Sequence, residues 1–160
     1  MTIDEFETYG VERMDGESIR SFLAAQRVGV LGLPTDRLPY MIPISYAFDG
    51  ESNLYFSYLV GETSQKATLT EETAVASFLV FDAHSEYMWR SVALEGTLSP
   101  VPEDEVDSLV DSMEGLWRPD ALERASEVED SRLYRLEIQN RTGVKHFVTP
   151  PGMDPEESDG

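Results

Sequence analysis

Apolar residues along the chain fall mostly in short runs punctuated by turn formers. They seldom recur at helical spacing. One early exception predicts a helix: Asp15 can cap it, and Ile19, Phe22 and Leu23 then share one face at i, i+3, i+4. Val28 to Leu33 (VGVLGL) reads as a first strand, ended by Pro34, Thr35 and Asp36. Met41 to Phe48 (MIPISYAF) is a second, followed by the turn signal Asp49-Gly50. Leu54 to Val60 (LYFSYLV) is a third. These three predict an antiparallel meander. Gly61-Glu62-Thr63-Ser64 can open a short helix over Gln65 to Glu72, with Thr63 or Ser64 as N-cap. Ala74 to Phe81 (AVASFLVF) is strongly β-prone. Trp89 to Val101 (WRSVALEGTLSPV) predicts a long fifth strand with Gly96 as a bulge. Pro102-Glu103-Asp104 starts a third helix with Val106, Leu109, Val110 and Met113 on its apolar face. Leu133 to Ile138 is a final strand, which Val144 to Val148 either continue or pair beside.

The order lacks a regular β-α-β-α alternation, so it does not predict a doubly wound parallel sheet. It predicts a mainly β (α+β) protein: a six- or seven-stranded antiparallel barrel with short peripheral helices. Residues 15–149 form the expected domain. Residues 1–14 are read as an N-terminal arm, and 150–160, proline-rich and acidic, as a disordered tail.

Composition narrows the chemistry. There is no Cys, which excludes disulfides, thiol nucleophiles and Cys-ligated metals, and two His make a His-rich metal site unexpected. With 31 Asp and Glu against 12 Lys and Arg, the net charge is −19. Such a surface repels nucleic acid phosphates. Spread along the whole chain, it suits the cytoplasm of an extreme halophile, where the Debye length falls to about 3 Å and self-repulsion is screened. No apolar run predicts a membrane helix, and the acidic start does not read as a signal peptide. Dinucleotide-binding, P-loop, zincin and serine-hydrolase motifs are all absent. His84 and His146 lack metal-ligand partners at helical or turn spacing and read as surface or structural residues.

One segment stands out. The third strand runs into GETSQK, where hydroxyls, helix-start N–H groups and Lys66, one of two lysines, converge. That is the makeup of an anion site. A capped surface helix with a solvated lysine accounts for it equally well.

The stretches VGVLGLPTDRLPYMIPISYAFDG, LYFSYLVGETSQKATL, AVASFLVFD and WRSVALEGTLSPV resemble the FMN-binding split barrels related to pyridoxamine 5′-phosphate oxidase. LYRLEIQNRTGVKH is similar to that family's closing strand, so the resemblance spans roughly Ile19 to His146. It implies a homodimeric split barrel holding FMN at the dimer interface. The phosphate would meet Ser57, Ser64, Gln65 and Lys66. The flavin ring and ribityl chain would run along Met41, Ile42, Pro43, Ile44 and Ser45, partly through backbone groups. Trp89, Arg90, Ser91 and Val92 would lie near the partner subunit's cofactor, with Arg90 a second cation for the phosphate. Tyr58 would line the pocket or pack, with Trp89 and Phe56, at the interface. Tyr40 and Met41 stand where the family carries a phosphate-binding Arg, which shifts weight onto Lys66. Arg132, Arg135, Arg141 and His146 lack the Arg-x-His spacing of pyridoxamine 5′-phosphate oxidase itself, so its reaction is not implied.

The resemblance therefore implies an FMN-dependent oxidoreductase acting on an unspecified small molecule by hydride or electron transfer. Three alternatives stay open on the same fold: a non-catalytic flavin-binding or storage module, a haem or deazaflavin binder, and a dimer that has lost its cofactor. A haem would take its axial ligand from His84, His146 or a Tyr.

Overall fold

The computed structural model describes residues 10–59, 74–112 and 131–148. In chain order these form β1 (Val11–Arg13), α1 (Gly16–Ala25), β2 (Val28–Leu33), β3 (Tyr40–Ser45), β4 (Ala47–Phe48), β5 (Asn53–Leu59), β6 (Val75–Ser85), β7 (Met88–Pro100), α2 (Glu103–Ser112) and β8 (Ser131–Phe147). The expected helix over Gln65 to Glu72 and the acidic tail lie outside the described residues.

All the strand pairings are antiparallel, in the order β3-β2-β6-β7-β8-β5-β4, with β1 beside β8. The 17-residue β8 is the spine. One of its edges pairs with β7. The other pairs first with β5, then with β1 through Val144 to His146. β3 and β4 lie at opposite ends of the sheet order, yet only Tyr46 separates them in the chain. The sheet must therefore curl until its ends meet, which makes a split barrel of mainly β architecture.

Strand and core follow from the same alternation. Along β6, Ala76, Phe78 and Val80 point inward, while Val75, Ser77, Leu79 and Phe81 point out. Inside, Phe78 stacks on Phe56 (centroids 5.2 Å, 20° between planes) and meets Tyr46 edge-on at 5.4 Å. α1 closes the concave side with Ile19, Phe22 and Leu23. As expected, Asp15 caps it, accepting from Ser18 N–H at 2.7 Å. The buried Tyr46 hydroxyl donates to the Leu23 carbonyl at 2.7 Å, and Tyr46 N–H donates to Arg27 O. Burial raises the Tyr46 pKa well above its ordinary value, so the phenol stays a donor. These bonds tie the end of α1 to the barrel. They interrupt what reads in sequence as one strand from Met41 to Phe48.

A second cluster (Ala47, Tyr55, Val101, Leu133) lies on the convex side beneath Val106 and Leu109 of α2. α2 thus covers β4, β5 and the first half of β8. The bulge expected at Gly96 is present: Glu95 faces Asn140 and Gly96 faces Ile138, leaving Gln139 as the extra residue. A Cβ at Gly96 would lie 2.0 Å from the Glu137 carbonyl oxygen, so the close approach requires glycine. β1 and the two-residue β4 bring the strand count to eight. β1 anchors the end of the expected arm, because its backbone completes the edge of β8 that β5 leaves open.

Candidate functional site

Among the described residues, nothing covers the convex face over β3, β2, β6, β7 and the second half of β8. Cross-strand partners share a face, so the register lays out its surface in rows. One row is Pro43, Val30, Leu79, Ala93 and Thr142. The next is Met41, Gly32, Ser77, Glu95 and Asn140. Toward the other end come Phe81, Ser91 and Val144, then Ala83, Trp89, His146 and Val11. Val28, Met41, Val75, Leu79 and Phe81 are all exposed, an apolar surface larger than a solvated sheet face normally carries.

Two hollows lie on this face and meet at Ala93. The larger is a cleft of about 590 Å³ floored by Val30, Gly32, Leu79 and Ala93 and flanked by Met41 and Val75. Its polar groups are few: Ser77, Glu95 and Gln139, the last donating to Thr97 Oγ1 at 2.7 Å. The bulge turns Gln139 toward the cleft. The smaller hollow, about 440 Å³, is lined by Trp89, Ser91, Thr142, Val144 and His146, with Val11 and Glu86 at its margin. Trp89 and His146 stack with centroids 5.6 Å apart and planes 18° from parallel. A hydrogen bond to the Glu86 carboxylate, and that carboxylate's charge, raise the pKa of neighbouring Tyr87.

The structure sorts the expected site residues by face. Met41, Pro43, Ser45, Trp89 and Ser91 share the convex face, and Met41 borders the cleft. Ile42 and Ile44 pack against the core, and Val92 is fully buried. Arg90 also faces inward. Its guanidinium lies 4.8 Å from the centroid of the Phe22 ring and 3.2 Å from Asp82 Oδ2. It is the centre of a cross-sheet row Asp82, Arg90, Lys145, Glu12, in which Lys145 Nζ is 3.7 Å from Glu12. The structure therefore does not bring Arg90 to the cleft. Ser57 is half-buried on the α2 side of β5, away from the cleft. Phe56 lies wholly in the core and is unavailable to an interface. Ser64, Gln65 and Lys66 lie outside the described residues, as does the side chain of Tyr58. His84 sits 3.4 Å from Asp82 Oδ2 at the exposed end of β6, and His146 belongs to the smaller hollow.

The residues sequence reading passed over are Gly32, Ser77, Leu79, Glu95 and Gln139. A signal existed for the β6 pair. AVASFLVF is apolar on both of its alternating faces, which marks a strand that something covers on each side.

A family model described as pyridoxamine 5′-phosphate oxidase matches residues 15–145. No protein of curated function matches the chain. Among solved structures, a FAD-binding protein from Mesorhizobium loti superposes with a TM-score of 0.68 at 21% identity, covering 84% of this chain and 96% of its own. The FAD-binding protein from Mycobacterium smegmatis gives a TM-score of 0.65 at 14% identity, with coverages of 86% and 100%. The FAD- and haem-binding protein of the same organism gives 0.63 at 18% identity, with coverages of 94% and 80%. At these identities the structural matches speak for the fold alone. The family model spans most of the domain, and with it the curled antiparallel sheet assigns the chain: it belongs to the pyridoxamine 5′-phosphate oxidase family.

Proposed function

We propose that this chain binds a flavin in the larger cleft, as a homodimer joined across the open convex face, and acts as a flavin-dependent oxidoreductase in a salt-rich cytoplasm. The carrying observation is the cleft itself. It is an apolar slot of about 590 Å³ with a handful of polar groups at one edge, on a sheet face whose other apolar residues are exposed. An isoalloxazine ring asks for that combination. The FAD-binding proteins of the same fold support the choice of a flavin.

The residues fit the group. Gly32 leaves the floor without a side chain where a flat ring would lie. Met41 borders the slot, and Ser77 and Gln139 offer a hydroxyl and an amide to a ring's polar edge. β3 is an edge strand paired only with β2, so Ile42 and Ile44 reach a ligand through backbone groups while their side chains fill the core. Among the described residues that line the cleft there is no Arg or Lys. We assign a flavin phosphate to Lys66 with Ser64 and Gln65, which precede β6 in the sequence. FMN, with its single phosphate, suits one such cation. A bound flavin supplies hydride or electron transfer at N5, and the protein's share is to hold the ring and exclude water from its face.

The test is to fill the slot. A Cβ at Gly32 would meet only ordinary contacts, 3.6 Å to Ser77 O and 3.7 Å to Ser77 Cβ, and its φ is not positive, so a side chain there meets no backbone strain and Gly32→Val is checked for folding by circular dichroism. FMN titrated into this variant should bind at least about tenfold more weakly than into the parent, a loss of about 1.4 kcal/mol or more. Equal affinity in a folded variant would place the flavin elsewhere.

A further inference from the structure

We propose that a polar hollow between α1 and the ends of β7 and β8 binds a small zwitterion with an apolar side chain, the class to which a free α-amino acid such as leucine belongs. The hollow measures about 410 Å³ and opens on the concave side of the sheet, the opposite face from the cleft. The inference goes beyond the flavin reading and does not depend on it.

The sheet wall of the hollow is cationic. Arg90 and Lys145 both line it and are direct cross-strand partners. Like charges directly opposite each other destabilise a sheet. Yet this pair stands in a chain with 12 basic residues against 31 acidic ones. The carboxylates that answer it lie at the outer ends of the row, Asp82 beyond Arg90 and Glu12 beyond Lys145. Neither uses up its cation. Among the described residues Arg90 gives Asp82 one hydrogen bond, at 3.2 Å, of the several that a guanidinium can make. Lys145 Nζ is 3.7 Å from Glu12, too far for a hydrogen bond. A ligand carboxylate placed between the two side chains would accept from both.

The helix wall has the opposite sign. Asp15 and Glu17 line it, with the hydroxyls of Ser18 and Ser21 beside them. Bonds from the Ser18 N–H and hydroxyl hold the Asp15 carboxyl below its ordinary range, so it is ionised at neutral pH. A simple anion drawn to the sheet wall meets two carboxylates across the hollow. A simple cation drawn to the helix wall meets Arg90 and Lys145. A zwitterion answers both walls at once. In molar salt the screening length is about 3 Å, so charges in contact keep their attraction while the wider acidic field is damped.

The rest of the lining is apolar and sets the side chain. Phe22 lies under the Arg90 guanidinium, 4.8 Å from it, and Met14 and Phe147 flank the opening. Phe147 is 52% exposed, so an apolar side chain laid on it removes hydrocarbon from water.

L-Leucine titrated into isotope-labelled protein in about 2 M KCl, followed by amide NMR, tests this. It should move the amides of Ser18, Ser21 and Lys145 saturably, with a Kd of about 1–10 mM for a ligand of this size. Isocaproate, which lacks the ammonium, and isoamylamine, which lacks the carboxylate, should each bind at least about tenfold more weakly. Lys145→Gln and Glu17→Gln each remove one charge and leave the Asp15 cap and the core untouched, and the amide spectrum shows whether each is folded. Each should weaken leucine at least about fivefold. Glu17→Gln should at the same time bind isocaproate more tightly than the parent does, a gain that distortion of the site would not produce. Shifts that stay linear up to about 50 mM leucine would overturn the proposal. So would saturation centred on other residues, equal affinity for leucine and its two analogues, or unchanged leucine affinity in both variants.

Discussion

Phe81 offers a quantitative handle on the open sheet face. It points outward from β6 beside Ser91 and is 56% exposed in the protomer. Fully burying a side chain of this kind is worth about 1.5–3 kcal/mol. If a second copy covers what the protomer leaves open, association gains about 0.8–1.7 kcal/mol per copy, or about 1.7–3.4 kcal/mol for the two copies of a symmetric interface. Phe81→Ser should then weaken dimerisation by about 15- to 300-fold. The protomer itself should lose little stability, because the side chain is more than half outside its core already. Sedimentation equilibrium of both proteins in about 2 M KCl, which screens the acidic surface, gives the two dissociation constants directly. A folded variant that dimerises as tightly as the parent, or a parent that stays monomeric, would refute the reasoning that this face is an interface.

Tyr46→Phe removes the buried hydroxyl that donates to Leu23 O. It should cost about 0.5–1.5 kcal/mol in denaturant unfolding, and no measurable loss would show that the bond does not anchor α1. Burial pushes the Asp49 pKa up, but bonds from Glu51 N–H, the Asn53 side chain and N–H, and Ser52 N–H outweigh it and hold the folded value below 3.8. The resulting stability is complete above the unfolded pKa and is lost as pH falls through the folded one. Asp49→Asn should therefore be less stable than the parent at neutral pH, and the difference should begin to shrink only below about pH 4, as the pH falls toward the folded pKa. A stability difference that is constant across that range would contradict the assignment.

Much of the fold was legible because it rests on local signals. Asp15 and the Ile19, Phe22, Leu23 face mark α1 correctly, and Gly96 marks the bulge, since capping, periodicity and a missing Cβ act within a few residues. The short strands escaped for the opposite reason. β1 exists because β8 runs past the end of β5 and leaves an edge to fill, and β4 exists because Tyr46 turns inward to reach Leu23. Both causes are long-range. The site divides in the same way. The family resemblance points to the second strand and to the start of the fifth, but which of their residues face the cleft depends on register. Register puts Trp89 and Ser91 outside and Arg90 and Val92 inside. A stretch such as Trp-Arg-Ser-Val carries no sign of which parity meets the ligand. Glu95 and Gln139 were harder still, because a one-residue slip in pairing brings Gln139 to the cleft.

The central claim is that the cleft holds a flavin, and the most direct measurement is a visible absorption spectrum of the purified protein in about 2 M KCl, before and after adding FMN. The account predicts bands near about 370 and 450 nm that co-elute with a dimer, present at once or acquired on addition. A colourless protein that elutes apart from added FMN would contradict it.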